Sequence, residues 1–100
     1  MKIMIKGRMW TLDEITRREM NKLSGKETLG LCCPIEREIF VVDSLSKKTK
    51  PVIVAHELAH AVIWEYKVPF RSDSQEEMYV SKMDEVMYRV TRIFPRCYKL

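Results

Sequence analysis

The chain is organised around residues 51–66, which read PVIVAHELAHAVIWEY. Apolar side chains occur at nearly every angle of a helix drawn through this stretch, which is typical of a helix buried on most sides. Ser46 and Thr49 are both candidate helix starts. Because proline is tolerated only in the first turn of a helix, Pro51 favours Thr49 as the N-cap. Pro69 stops the segment, and we predict a helix over residues 46–67.

This stretch contains the motif His-Glu-x-x-His, formed by His56, Glu57 and His60. Residues four apart lie on one face of a helix, so both imidazoles can reach one metal ion. Glu57 lies at a neighbouring angle, where its carboxylate can hold and deprotonate a water molecule. The motif is the signature of zincins, and it predicts a zinc-dependent peptidase with His56 and His60 as metal ligands and Glu57 as the catalytic base.

Chance rarely produces this arrangement. The chain has 2 histidines, and both are in the motif. Two histidines scattered over a chain of this length, with glutamate after the first, would match the motif in roughly 0.2% of cases. The alternative, a pair of core histidines on a buried helix, is therefore disfavoured.

The first part of the chain, residues 1–43, is predicted to be mainly strands. Lys2–Lys6 alternates between polar and apolar residues and fits a strand that ends in a turn. Met9–Ile15 then fits the second arm of a hairpin, followed by a short helix over Arg17–Leu23. Thr11 to Glu14 also fits a capping box that opens a helix. We favour the hairpin, because an isolated first strand needs a partner.

Two further strands are predicted at Thr28–Cys33 and Glu38–Val42, joined by a turn that contains Pro34. We expect Glu38–Val42 to form an exposed edge above the motif helix, where a peptide could add as another strand.

A C-terminal helix is predicted over residues 74–94, before Pro95. Its apolar residues repeat at helical spacing and predict a buried stripe: Tyr79, Val80, Met83, Val86, Met87, Val90 and Ile93. The fold class predicted for residues 1–100 is therefore α+β, a single domain with a small, mostly antiparallel sheet packed on the motif helix and the C-terminal helix.

A zinc ion held by two histidines needs a third protein ligand. Cysteine is possible, but the start of the C-terminal helix offers Glu76 and Glu77, with Asp84 and Glu85 further along. Ser72, Asp73 and Ser74 are all candidate N-caps, and acidic residues also suit any helix amino terminus. Periodicity slightly favours Glu76, which aligns with Val80, and the residues alone leave the choice between Glu76 and Glu77 open.

The stretch Glu38–His60 resembles the ImmA/IrrE-type metallopeptidases, since a strand ending in Val-Asp-Ser and a short polar link precede Val-Ala-His-Glu-Leu-Ala-His-Ala. The chain is most similar to the small stand-alone versions found in phages and prophages. The resemblance implies a minimal zincin-like domain with gluzincin-like peptide hydrolysis. It also implies that Glu77, followed three residues later by Val80, is the third zinc ligand, and that the substrate is a helix-turn-helix repressor.

Composition sets the remaining expectations. Hydrophobic residues at 46% and charged residues at 32% describe a globular domain. The amino terminus lacks the features of a signal peptide, and the 3 cysteines show no metal-binding spacing, so we expect a cytoplasmic protein, in a bacterial host, with reduced thiols. The net charge of +4 is a weak hint of acidic partners. We expect a protein or peptide substrate, no membrane, and no direct binding to nucleic acid.

Two other functions fit the same sequence. The chain could be a non-catalytic module in which zinc stabilises the fold and which binds a protein of the host or phage. The positive charge also fits a DNA-associated protease, although no motif that reads nucleic acid is present.

Overall fold

A computed structural model describes residues 1–67, 69 and 72–82 of the chain. The predicted stripe residues from Met83 onward, and the reserve ligands Asp84 and Glu85, lie outside these residues. Across the described part, every helix falls short of the length and apolarity needed to cross a membrane.

The chain opens with a β-hairpin. Strand β1 (Lys2–Ile5) pairs antiparallel with β2 (Arg8–Ile15), and the pair Ile5↔Arg8 closes a two-residue loop. The predicted hairpin is therefore confirmed, and the alternative helix starting at Thr11 is wrong, because that residue lies within β2.

A short helix, α1 (Arg17–Ser24), follows the hairpin as predicted. Thr16 is its N-cap and forms a capping box with Glu19, which satisfies amide groups that have no partner inside the helix. Gly25 ends the helix in the left-handed conformation, with φ 71°.

Two strands complete a four-stranded mixed sheet in the order β1-β2-β4-β3. Strand β3 (Gly30–Cys33) pairs antiparallel with β4 (Glu38–Val42), and β4 pairs parallel with β2. The parallel pair is possible because α1 and β3 form the long connection that it needs. The expectation that Glu38–Val42 is an exposed edge is wrong, since β4 lies between two strands and β3 is the edge.

The motif helix, α2 (Thr49–Glu65), packs on the sheet over a single core cluster. Alternate residues of β2 and β4 point to this core, as the two-residue period of a strand requires. The fully or almost fully buried members of the cluster are Ile5, Trp10, Leu12, Ile39, Val41, Val54, Leu58 and Ala61.

The boundaries of α2 differ from the prediction. The helix begins at Thr49 and ends at Glu65, instead of spanning 46–67. Thr49 is its first residue and not its cap, and its amide donates to the hydroxyl of Ser46 at 3.1 Å. Ser46 therefore supplies the capping hydrogen bond from three residues upstream.

Residues 73–82 form helix α3. Ser72 caps it, because its hydroxyl accepts the amide of Gln75 at 3.2 Å. Val80 is fully buried against Ala59 and Ile63 of α2, as predicted for the apolar stripe. Tyr79 is 47% exposed, so its predicted place in that stripe is wrong.

Candidate metal centre

The two histidines of the motif lie side by side on α2. Their ring centroids are 5.1 Å apart, with the ring planes inclined by 70°. The helical spacing of four residues brings His56 and His60 one turn apart, as the sequence predicts. Both side chains are partly buried, at 27% and 14% exposure.

Glu77 of α3 reaches both imidazoles. Its carboxylate oxygens lie 3.5 Å from Nε2 of His56 and 2.9 Å from Nε2 of His60. Val80 anchors this contact, because it is one turn further along α3 and is buried against α2. One ligand atom from each of His56, His60 and Glu77 lies within 4.8 Å of the other two.

The donor set, two imidazole nitrogens and a carboxylate oxygen, has the chemistry of a metal site. Zinc in proteins takes imidazole nitrogen and carboxylate oxygen at about 2.0–2.2 Å in a tetrahedron, which places neighbouring donors roughly 3.3 Å apart. The two nitrogen–oxygen contacts of Glu77, at 3.5 and 2.9 Å, involve different carboxylate oxygens, and one donor atom from each of the three residues lies within 4.8 Å of the others. Three protein donors leave one tetrahedral position for water or substrate, as in catalytic zinc sites.

Glu76 contacts the opposite edge of His60. One of its carboxylate oxygens lies 2.7 Å from Nδ1 of the ring. A neutral imidazole that donates its Nδ1 proton there carries its lone pair on Nε2, the atom nearest Glu77. Metal-binding histidines are commonly oriented by such a carboxylate. Glu76 and Glu77, which sequence reasoning treated as rivals, therefore occupy different positions around one imidazole.

Glu57 lies against the edge strand of the sheet. Its side chain is buried, with 8% of the residue exposed, and it lines a cavity of about 520 Å³ together with His56, His60 and Glu77. A Cβ atom placed on Gly30 would lie 3.0 Å from both Cγ and Oε1 of Glu57, and 2.6 Å from Cγ2 of Ile53. Only glycine lets β3 approach the motif glutamate this closely.

Cys32 also lines this cavity. Burial, followed by the negative charge of Glu57, raises the pKa of its thiol well above the ordinary cysteine value. The thiol is therefore protonated near neutral pH, which disfavours Cys32 as a nucleophile. Cys32 and Cys33 form no disulfide with each other, and Cys97 lies outside the described residues.

The structure brings together the four residues singled out from the sequence, His56, Glu57, His60 and Glu77. Sequence reasoning missed the roles of Glu76 and Gly30. A glycine inside a strand is a known sign of close backbone approach, and it was the only available signal for Gly30. Comparison with protein-family models, curated proteins and solved structures finds no match to this chain.

Proposed function

We propose that this chain is a zinc-dependent metallo-endopeptidase in which His56, His60 and Glu77 hold the metal. The observation that carries the proposal is the convergence of Glu77 on the Nε2 atoms of both motif histidines. When bound, zinc would act as a Lewis acid toward the scissile carbonyl and lower the pKa of a water molecule toward neutrality.

Glu57 is the proposed general base. Its carboxylate lines the same cavity as the three donors, so it can take a proton from water and later deliver that proton to the leaving amine. Burial against β3 limits its side-chain freedom, which favours a fixed geometry for the proton transfer.

The edge strand β3 offers a docking site for the substrate backbone. Gly30, Leu31 and Cys32 line the cavity that contains Glu57. Among the described strands, β3 pairs only with β4, so its other edge can accept an extended peptide by β-augmentation. The substrate would then lie beside the metal ligands. The resemblance to ImmA/IrrE-type peptidases directs the search for a substrate to helix-turn-helix repressors of phages or mobile elements, in the cytoplasm of a bacterial host.

Replacing Glu57 with glutamine tests the proposal. The purified parent chain should bind about one zinc ion, and Glu57→Gln should retain that zinc while losing peptide hydrolysis. Protein fragments that accumulate in bacteria expressing the parent chain, and not in those expressing Glu57→Gln, identify the substrate. Cleavage that persists in purified Glu57→Gln contradicts the assigned base.

The second candidate function is a protein-binding module in which zinc has a structural and not a catalytic role. The large apolar side chain of Trp64 lines the cavity and is 48% exposed, as at surfaces that bind other proteins. A binding module would keep its full biological effect in Glu57→Gln, whereas a peptidase would lose it.

A further inference from the structure

A second cavity, of about 880 Å³, lies next to the metal centre and shares Trp64 and Glu76 with its lining. Four basic residues line it: Lys6, Arg8, Arg37 and Lys67. We call these four residues the basic pocket. They come from the hairpin loop and β2, the turn before β4 and the end of α2, so the fold gathers charges that are distant in sequence.

Three of these four cations have an unusual backbone conformation. Lys6, Arg37 and Lys67 have φ of 48°, 54° and 54°. Among the described residues, they are the complete set of non-glycine residues with positive φ. Side chains other than those of glycine, asparagine and aspartate rarely adopt this conformation.

Two of these positions, Lys6 and Lys67, are ones where glycine or asparagine is the usual residue. Lys6 precedes Gly7 in a two-residue hairpin loop with both φ values positive, a turn that prefers Asn-Gly. Lys67 directly follows the C-cap of α2, where glycine commonly ends a helix. The clustering of turns at one end of the fold explains why the positions are neighbours. It does not explain why each carries a cation, and strained backbone of this kind gathers at functional sites.

Two of the three acidic residues that line the cavity have hydrogen-bond partners, and Glu65 is paired with Arg37 of the basic pocket itself. Glu65 accepts hydrogen bonds from Nε of Arg37 at 2.5 Å and from the indole of Trp10 at 2.9 Å, and Glu76 is bound to His60. Asp73 lies in the first turn of α3, where the helix amino terminus stabilises a negative charge. Within the described part of the chain, Lys6, Arg8 and Lys67 form no ion pair with a carboxylate. Glu65 neutralises Arg37, and the charge of Arg8 also acts on Glu65. The ammonium group of Lys6 lies over the Tyr66 ring, 5.1 Å from its centroid, a contact that leaves its charge in place. With four cations against three carboxylates in the lining, the pocket retains positive charge, chiefly at Lys6 and Lys67.

We infer that the basic pocket binds an acidic side chain of the peptide substrate, on one side of the scissile bond. The inference rests on the proposed peptidase function for the identity of the ligand. Because Trp64 and Glu76 line both cavities, the basic pocket borders the metal centre, within reach of the side chains of a peptide held there. The ligand is a carboxylate-bearing segment, and the pocket selects it by charge.

Two blocked peptides, pentaglutamate and pentaglutamine, test the inference by calorimetric titration of the Glu57→Gln chain. Pentaglutamate should bind at least tenfold more tightly at low salt, with a difference that shrinks as salt screens the charges. Lys6→Asn and Lys67→Gly should each weaken pentaglutamate binding at least threefold. Neither substitution should lower the Tm, because both install residues that suit the local backbone. Lys22→Gln, on α1, removes the same charge elsewhere and should leave binding unchanged.

Equal affinity for the two peptides, or unchanged pentaglutamate binding in both lysine variants, would overturn the inference. Tighter binding of a thymidine oligonucleotide of equal charge would also overturn it and make the pocket a nucleic-acid site. These results are independent of the peptidase proposal, since zinc content and hydrolysis by the parent chain are measured separately. If the chain bound pentaglutamate selectively but never bound zinc, the inference about the basic pocket would stand and the peptidase proposal would fail.

Discussion

The carboxylate of Glu76 lies 2.7 Å from Nδ1 of His60, on the side of the ring away from Glu77. The two glutamates, adjacent in the chain, should therefore affect zinc differently. Glu77→Ala removes a donor and should weaken zinc binding most. Glu76→Ala removes only the group that orients His60, and should weaken binding about 10- to 100-fold. Competition with a chromogenic chelator measures both.

Glu76→Gln is the matched control for this pair. Its amide oxygen can still accept the Nδ1 proton of His60, so zinc affinity should fall less than in Glu76→Ala. If Glu76→Ala weakened zinc binding more than Glu77→Ala, the roles of the two glutamates would have to be exchanged.

Gly30 should be required for activity through Glu57. An alanine Cβ at this position would lie 3.0 Å from the Glu57 side chain, so Gly30→Ala should displace the base and lower kcat while zinc binding persists. Overpacking of this kind also costs about 1–3 kcal/mol of stability. Steady-state kinetics and metal analysis of the same preparation separate these effects.

Ile53 provides the control for Gly30. The tightest contact of the added Cβ is with Cγ2 of Ile53, at 2.6 Å. Gly30→Ala should therefore cost less stability when Ile53 is already alanine than it does in the parent chain. The kcat of the double variant should stay low. Full recovery of kcat in the double variant would show that Gly30 acts through general packing and not through Glu57.

Val80 should couple the docking of α3 to the metal centre. Val80 is fully buried against Ala59 and Ile63, and its truncation to alanine should destabilise the fold by about 2 kcal/mol. Because Glu76 and Glu77 lie one turn earlier on α3, zinc affinity should fall as well. Met78→Ala, at an exposed position of the same helix, is the control and should change neither quantity in thermal unfolding or zinc titration.

Residue pattern was enough to locate most of the elements. The alternation of Lys2–Lys6, the β-branched run of Glu38–Val42 and the apolar stretch before Tyr66 each correspond to an element of the structure. The pairing of the strands was harder to predict, because alternation shows which residues form a strand and not which strand lies beside it. The parallel pair β2–β4, which makes β3 the edge, depends on the path of the chain through α1.

At the candidate metal centre, too, contacts within one element could be predicted from the sequence, and contacts between elements could not. Helical spacing was sufficient to bring His56 and His60 together, because both belong to one element. The position of Glu77 depends on the packing of Val80 of α3 against α2, whereas the periodicity of α3 alone slightly favoured Glu76. The basic pocket could not be predicted from the sequence for a similar reason, because its residues come from separate turns.

Glu65 should make stability depend on pH. Burial opposes its ionisation, but hydrogen bonds from Arg37 and Trp10 and the charges of Arg37 and Arg8 outweigh that effect, so the pKa of Glu65 lies below its ordinary value. The folded state therefore favours the ionised carboxylate. This stabilisation is complete above the ordinary glutamate pKa of about 4.3 and is lost as the pH falls through the lower pKa of the folded state.

Replacing Glu65 with glutamine isolates this contribution, because the amide keeps the shape and can still accept the Trp10 hydrogen bond. At pH 7 the parent chain should be more stable than Glu65→Gln, and the difference should shrink below about pH 4.3. Urea unfolding at a series of pH values, followed by tryptophan fluorescence, to which the fully buried Trp10 contributes, measures it. Glu27→Gln removes an exposed carboxylate and should give the pH profile of the parent. A constant difference between the parent and Glu65→Gln across this range would show that the ion pair with Arg37 adds nothing beyond the neutral hydrogen bonds.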